Sequence, residues 1–185
     1  MTQKKTLAKK LVAIPFILFS VTAFSQNLNL GEIHGNFQAD PKYYIPDSTI
    51  GADTVPEKLL MNGYLNMNYT RGNISAGLRY ESYLNTLQGF DPRYKGNGIP
   101  FRYITYTTED LEITAGNFYD QFGNGLIFRS YWEPDLGLDN AMDGLRIKYS
   151  PWKGIALKGW IGKQRFFITT SGLVRGLDAE VNINE

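Results

Sequence analysis

The chain has 185 residues, with 19 basic and 18 acidic side chains and no cysteine. The near-balance of charge gives no indication of a nucleic-acid partner. The absence of cysteine excludes disulfide frameworks, thiolate metal sites and cysteine nucleophiles. Twelve Tyr, eleven Phe, three Trp and nineteen Gly are typical of membrane β-barrels, in which aromatic residues gather at the lipid boundaries.

The first 25 residues have the pattern of an export signal. Four lysines precede an apolar run over Leu11 to Phe19, and Ala23-Phe24-Ser25 supplies small residues for cleavage. The apolar run is too short and too interrupted for a typical membrane-spanning helix. An uncleaved N-terminal anchor is the alternative. We therefore assign residues 1–25 to a signal peptide and residues 26–185 to the fold.

Alternating apolar and polar residues, the pattern of a half-buried strand, recur through the rest of the chain. In order, strands are predicted over Gly31 to Ala39, Met61 to Tyr69, Ile74 to Glu81, Phe101 to Thr107, Leu111 to Gly116, Gly144 to Tyr149, Ile155 to Ile161 and Leu177 to Asn184. No stretch sustains a helical period. The sequence predicts an all-β fold of about eight antiparallel strands.

The predicted connections alternate in length. Short turns are predicted near Arg71-Gly72, Glu109-Asp110 and Pro151 to Gly154, and long segments over Asp40 to Glu57, Asn85 to Pro100, Phe118 to Met142 and Lys163 to Arg175. Outer-membrane barrels have short periplasmic turns and longer extracellular loops. This alternation predicts a transmembrane β-barrel, with a secreted sandwich or a lipocalin-like barrel as alternatives.

The end of the sequence bears on the size of this barrel. The chain stops at Asn182-Ile183-Asn184-Glu185, without the terminal aromatic residue of many such barrels. Closed barrels of eight strands exist, but we interpret residues 26–185 as the N-terminal part of a longer barrel.

Ten charged side chains are predicted to face the lumen. They are Glu32, Arg79, Glu81, Arg102, Glu112, Arg146, Lys148, Lys158, Asp178 and Glu180. Such a set could line a charge-selective pore, but its acids and bases are equal in number. We expect instead cross-strand ion pairs that neutralise the lumen and fix the register of the strands.

The long connection from Phe118 to Met142 is unusually apolar for a loop. Its candidate constriction residues are Phe122, Leu126, Ile127, Phe128, Arg129 and Trp132. Consecutive apolar residues are costly to leave on a surface, so we expect this loop to fold over or into the lumen. Packing on a partner, or two more short strands above the membrane, are the alternatives.

Three carboxylates near the end of this loop are a weak candidate for a metal site. Asp135, Asp139 and Asp143 offer oxygen ligands of the kind that suit Ca²⁺. Their spacing does not match the EF-hand pattern. We therefore expect an acidic loop bonded to Arg129 or Arg146, and we predict no cofactor.

A resemblance supports the location. The stretch Gly116 to Gly125, followed by Tyr131-Trp132-Glu133-Pro134-Asp135 and Asp143-Gly144, resembles an uncharacterised family of exported Gram-negative outer-membrane β-barrel proteins, a domain of unknown function. The resemblance implies that members of that family are longer chains, of which this sequence would cover the N-terminal part. The resemblance implies the fold and the location and supplies no catalytic or ligand residues.

The sequence thus predicts a non-enzymatic outer-membrane protein that acts as a pore or an envelope scaffold. Residues 118–142 are expected to occlude its lumen. A partner-docking or assembly component of an envelope or secretion complex, without conductance, is the alternative. An enzyme is a third class, but His34, the only histidine, has no nucleophile or orienting carboxylate at a recognisable spacing. Outer-membrane lipid and other envelope proteins are the expected partners.

Overall fold

The computed structural model describes residues 30–52, 54–167 and 169–183. The predicted signal peptide, residues 1–25, lies outside this part of the chain. The strands are β1 (Glu32–Tyr43), β2 (Leu59–Arg71), β3 (Ile74–Leu84), β4 (Gly96–Thr107), β5 (Leu111–Phe118), β6 (Trp132–Glu133), β7 (Leu138–Asp139), β8 (Met142–Trp152), β9 (Ile155–Phe166) and β10 (Thr169–Val181). Two 3₁₀ turns, Pro92–Tyr94 and Pro134–Leu136, are the helical elements of the described residues. Within these ranges, no helix has the length and apolar character needed to cross a membrane.

Eight of these strands form one antiparallel sheet in the order β1-β2-β3-β4-β5-β8-β9-β10, and β6 pairs with β7 separately. The predicted all-β antiparallel fold with eight main strands is confirmed. In the described residues, no pairing joins β1 to β10, so the sheet is open and not closed into a barrel.

Three tight turns join strand pairs at one end of the sheet. They lie at residues 72–73, 108–110 and 153–154, where the sequence predicted them. Gly72 has a φ of +53° and supplies the left-handed conformation of the β2–β3 turn. Longer connections at the opposite end, over residues 44–58, 85–95 and 119–141, separate the pairs.

The predicted long connection over Lys163 to Arg175 is wrong. Strand β9 continues to Phe166 and β10 begins at Thr169, so most of this segment is strand. The register between the two strands shifts between Thr170 and Leu173. Such an irregularity interrupts the alternation of side chains, and this is why the sequence pattern failed here.

The two faces of the sheet differ in chemistry. Direct partners in an antiparallel sheet point to the same side, and the register therefore defines each face. The apolar face carries Leu65, Leu78, Ile104, Ile113, Ile147, Leu157 and Leu177. The polar face carries Asn66, Arg79, Glu112, Arg146, Lys158 and Asp178.

Arg102 is the exception among the ten predicted lumen-facing charges. Its Cα pairs with that of Leu78, which places Arg102 on the apolar face. The adjacent Phe101 occupies the polar face, where its ring stacks on Tyr119 with centroids 5.2 Å apart. Because an aromatic residue takes the polar face here, hydropathy alone assigned the wrong face to Arg102.

The sheet curves around its polar face. Arg165 on β9 donates to Glu81 on β3 at 3.0 Å, although three strands lie between β3 and β9. In a flat sheet, four spacings of about 4.8 Å would hold these strands roughly 19 Å apart. The contact therefore requires the polar face to be concave.

Candidate functional site

The polar face is covered by the connection between β5 and β8. This covering segment, residues 119–141, contains the β6–β7 pair and a small hairpin over residues 120–130. The hairpin is held by bonds from Ser130 N to Asp120 O at 2.7 Å and from Phe122 N to Phe128 O at 3.0 Å. The hairpin lies over the sheet, so that side chains of the covering segment contact the concave face.

Four charged side chains meet beneath the covering segment. This charge cluster consists of Arg79, Glu81, Asp139 and Arg165, each with a side chain at most 4% exposed. Arg79 Nε donates to Glu81 Oε1 at 2.6 Å. Both arginines donate to Asp139 Oδ2 from their Nη2 atoms. Two guanidinium groups and two carboxylates balance, so the cluster is buried without net charge.

Two neighbouring tyrosines donate further hydrogen bonds to the carboxylates of the cluster. Tyr83 OH donates to Glu81 Oε2 at 3.1 Å, and Tyr119 OH donates to Asp139 Oδ2 at 2.9 Å. Burial, and after it the negative charge of Asp139, raises the pKa of Tyr119. The phenol therefore stays protonated and keeps donating. Bonds of this kind are the condition for burying ions at tolerable cost.

Aromatic rings enclose the Arg79 end of the cluster. Its guanidinium carbon lies 3.9 Å from the ring centroid of Trp132 and 4.8 Å from that of Phe101. Trp132 also meets Tyr64 edge to face, with centroids 5.5 Å apart. Cation–π contacts strengthen when water is excluded. Trp132, predicted as a constriction residue, thus attaches the covering segment to the sheet.

A second acidic residue, Asp120, attaches the other end of the covering segment. Its side chain, 6% exposed, lies 3.2 Å from Arg146 and 2.9 Å from Lys158. Arg146 also reaches Glu112 at 2.6 Å, and Lys158 lies 3.6 Å from Asp178. The ion pairs between predicted lumen charges are therefore present, with Asp120 as an additional acid.

An aromatic cluster lies beside Asp120. The rings of Phe122 and Phe128 contact Trp160 with centroids 5.5 Å and 4.5 Å away. Phe118 and Met142 complete the buried group. On β10, Gly176 leaves room for this stack, because a Cβ there would collide with the Phe122 ring. The hairpin is thus held by rings as well as by charge.

Leu126 and Ile127 do not take part in this packing. They lie at the tip of the hairpin and are 86% and 91% exposed. The expectation that the whole apolar run is buried is therefore wrong, and Phe128 alone of the three contacts the sheet. Two residues preceding the tip, Asn124 and Gly125, form the turn that directs it away.

The predicted acidic metal candidates are not brought together. Asp139 belongs to the charge cluster, Asp143 contacts Arg102 at 3.4 Å, and Asp135 is exposed. Among the described residues, no group of three or more acidic or histidine side chains is arranged to hold a metal ion. The predicted partners were also wrong, because Asp139 bonds Arg79 and Arg165 in place of Arg129 or Arg146.

Several predicted residues belong neither to the charge cluster nor to the ion pairs of Asp120. Arg129 stacks its guanidinium on the Tyr131 ring at 4.6 Å. On the edge strand β1, His34 contacts Glu32 at 3.3 Å, and both side chains are more than 70% exposed. Lys148 lies 3.3 Å from Glu112. Glu180 lies on the polar face of the edge strand β10, opposite Ala156.

Sequence reasoning missed Arg165, Tyr119 and Asp120 as members of the site. Arg165 falls in the segment predicted as a loop, where no alternation marks it. Tyr119 and Asp120 stand in the motif that was singled out as unusual, yet nothing in the spacing names their partners. Arg165 and Glu81 are 84 positions apart, and only the curvature of the sheet joins them.

The comparisons with known proteins place the chain in a family. No curated protein matches the sequence. Residues 7–185 match a family described as a family of unknown function, DUF6029. The match covers nearly the whole chain, in agreement with the expected uncharacterised family, and the protein is a member of DUF6029.

Proposed function

We propose that this chain contributes eight strands to a β-barrel of the Gram-negative outer membrane, acting as a non-enzymatic pore or envelope scaffold. In this proposal, residues 1–25 are a cleaved export signal. The covering segment occludes the lumen. Further strands, from this or another chain, would pair with the free edges of β1 and β10.

The observation that carries the proposal is the distribution of residues between the two faces. Six large apolar side chains on the apolar face are 41% to 88% exposed: Met67, Ile104, Leu145, Ile147, Leu157 and Leu177. Charged side chains are buried on the opposite face. A soluble monomer rarely exposes so extended an apolar surface, whereas a membrane barrel presents such a band to lipid.

Aromatic residues at the short-turn end of the sheet also support a membrane setting. Tyr106 and Tyr149 lie on the apolar face and are each 45% exposed, and Trp152, beside the turn at 153–154, is 72% exposed. Tyr and Trp collect at the borders of the apolar band in membrane barrels. These residues would mark the periplasmic border.

A pair of neighbouring residues tests the faces. Leu157 lies on the apolar face and Ala156 on the polar face, both exposed, at the same depth. We expect Leu157→Arg to destabilise the protein refolded in lipid by about 1–4 kcal/mol, depending on depth. Ala156→Arg should cost much less, because it faces Glu180 across the strands. The measurement is urea unfolding in vesicles, and equal losses would refute the facing assignment.

The exposed tip favours a second candidate function. Leu126 and Ile127 extend away from the sheet and could dock a partner in an envelope or secretion complex, with no conductance. Replacing residues 121–129 with two glycines separates the alternatives. Ser130 N already donates a hydrogen bond to Asp120 O, so a two-residue link can join these positions. An occluded pore should gain conductance in planar bilayers. Unchanged permeability of the folded variant would favour docking, and the tip variant Leu126→Ser/Ile127→Ser serves as control.

A further inference from the structure

A groove of about 980 Å³ runs along the apolar face over β8, β9 and β10. Its walls are apolar side chains, Leu145, Ile147, Leu157, Ile161 and Leu177 among them. Gly159 forms part of its floor. The absence of a side chain there deepens the groove, since a Cβ would come within 2.9 Å of Leu177 Cδ2.

Basic side chains stand at the end of the groove near the long connections. Arg175 lines the groove and pairs with Ile161, and Lys163 pairs with Leu173. The two cations are thus diagonal neighbours, whose Cβ atoms lie about 7–8 Å apart or somewhat less. Both are exposed.

These two cations have no acidic partner within salt-bridge distance in the described part of the chain. Asp143 pairs with Lys163 across the strands, but its carboxylate contacts Arg102 at 3.4 Å. Arg102, Lys163 and Arg175 therefore form a basic border of the apolar face, with Asp143 as the single acid among them.

We propose that the groove binds one anionic phospholipid, with an acyl chain along Gly159 and the phosphate at Arg175 and Lys163. This inference rests on the proposed membrane location. An unpaired arginine beside a lipid-facing apolar surface is unfavourable, and a phosphate removes that cost through charge-assisted hydrogen bonds. The apolar wall and the adjacent cations match the two halves of such a lipid.

The test uses the native chain refolded into phosphatidylcholine vesicles that contain a minor fraction of phosphatidylglycerol. Flotation first establishes membrane association. Native mass spectrometry, after exchange into detergent, then counts phosphatidylglycerol per chain. We expect Arg175→Gln and Lys163→Gln each to lower its apparent affinity about fivefold.

Two further variants locate the site. Gly159→Leu fills the groove, and Leu177, 88% exposed, is free to move aside, so the variant should fold and retain less lipid. Lys153→Gln removes the same charge at the short-turn end and should retain lipid like the native chain.

Three results would overturn the proposed lipid site. Retention by the groove and cation variants equal to that of the native chain would overturn the lipid site and leave the membrane location intact. A bound protein chain in place of lipid would also overturn it. Failure of the native chain to float would overturn both the lipid site and the proposed function.

Discussion

Two aspartates, Asp139 and Asp120, attach the covering segment to the sheet, and their surroundings in the folded protein differ. Asp139 is bound by two arginines whose side chains are 4% and 2% exposed. Asp120 is bound by Arg146 and Lys158, which are 11% and 18% exposed and have other acidic partners. One attachment is an enclosed network, and the other is a shared and partly hydrated one. The difference teaches that the contribution of an acid depends on its burial and on what its cations keep without it: Arg79 and Arg165 would share Glu81 alone, whereas Arg146 and Lys158 each have an acid of their own.

Replacing the enclosed acid should have the largest effect. Asp139→Asn leaves Arg79 and Arg165 with one carboxylate between them in a buried site, and we expect a loss of about 3–5 kcal/mol in the free energy of unfolding. Urea titration measures it, and hydrogen exchange over residues 119–141 reports the release of the segment. Asp135→Asn, an exposed acid of the same segment, is the control. A loss as small as that of the control would refute the role of the cluster.

The shared acid should matter less. After Asp120→Asn, Arg146 keeps Glu112 and Lys158 keeps Asp178, so no cation is left without an acid. We expect a loss of about 1.5–3 kcal/mol, the range of a hydrogen bond to a charged group. The same titration measures it. If Asp120→Asn proved as damaging as Asp139→Asn, the contrast between the two attachments would be lost.

An exposed ion pair provides the weakest case. Asp91 and Arg93 lie on the connection whose Phe90 packs on Gly137 of the covering segment. The side-chain hydrogen bond that Arg93 donates lowers the pKa of Asp91 from 3.8 to about 2. The stabilising contribution of Asp91 is therefore fully present above pH 3.8 and declines as the pH falls through 2.

Thermal unfolding of the native chain and Asp91→Asn tests this dependence. At pH 6 the melting temperature of the native chain should be slightly higher than that of Asp91→Asn. The difference between the two melting temperatures should narrow at pH 2, where Asp91 is about half protonated. A gap that stays constant between the two pH values would show that the carboxylate contributes nothing through its charge.

The sequence predicted the strands better than the contacts between them. Period-two alternation located the eight strands, because the main sheet has one apolar face and one polar face. It failed between Lys163 and Arg175, where the β9–β10 register shifts. It also misplaced Arg102, because Phe101 packs on the polar face with Tyr119.

The site could be predicted only in part. The ion pairs Glu112–Arg146 and Lys158–Asp178 join neighbouring strands, and alternation places them. The charge cluster does not, because Glu81 and Arg165 belong to strands that are not neighbours. Their contact depends on the curvature of the sheet, and no local pattern encodes curvature.

The position of the covering segment in the chain also has a consequence for folding. Neighbours in the main sheet are consecutive strands except β5 and β8, so nearly all pairing is local and the topology has few distant contacts to search for. Closing residues 119–141 is the longest step, because this is the longest connection between paired strands of the main sheet. Its entropic cost rises only slowly with loop length, and the ends of the loop pair from Leu111 with Tyr149 to Phe118 with Met142. The hairpins β2–β3, β4–β5 and β8–β9 should therefore form early and separately, and the union of β5 with β8 should join the two halves of the sheet while it encloses the charge cluster.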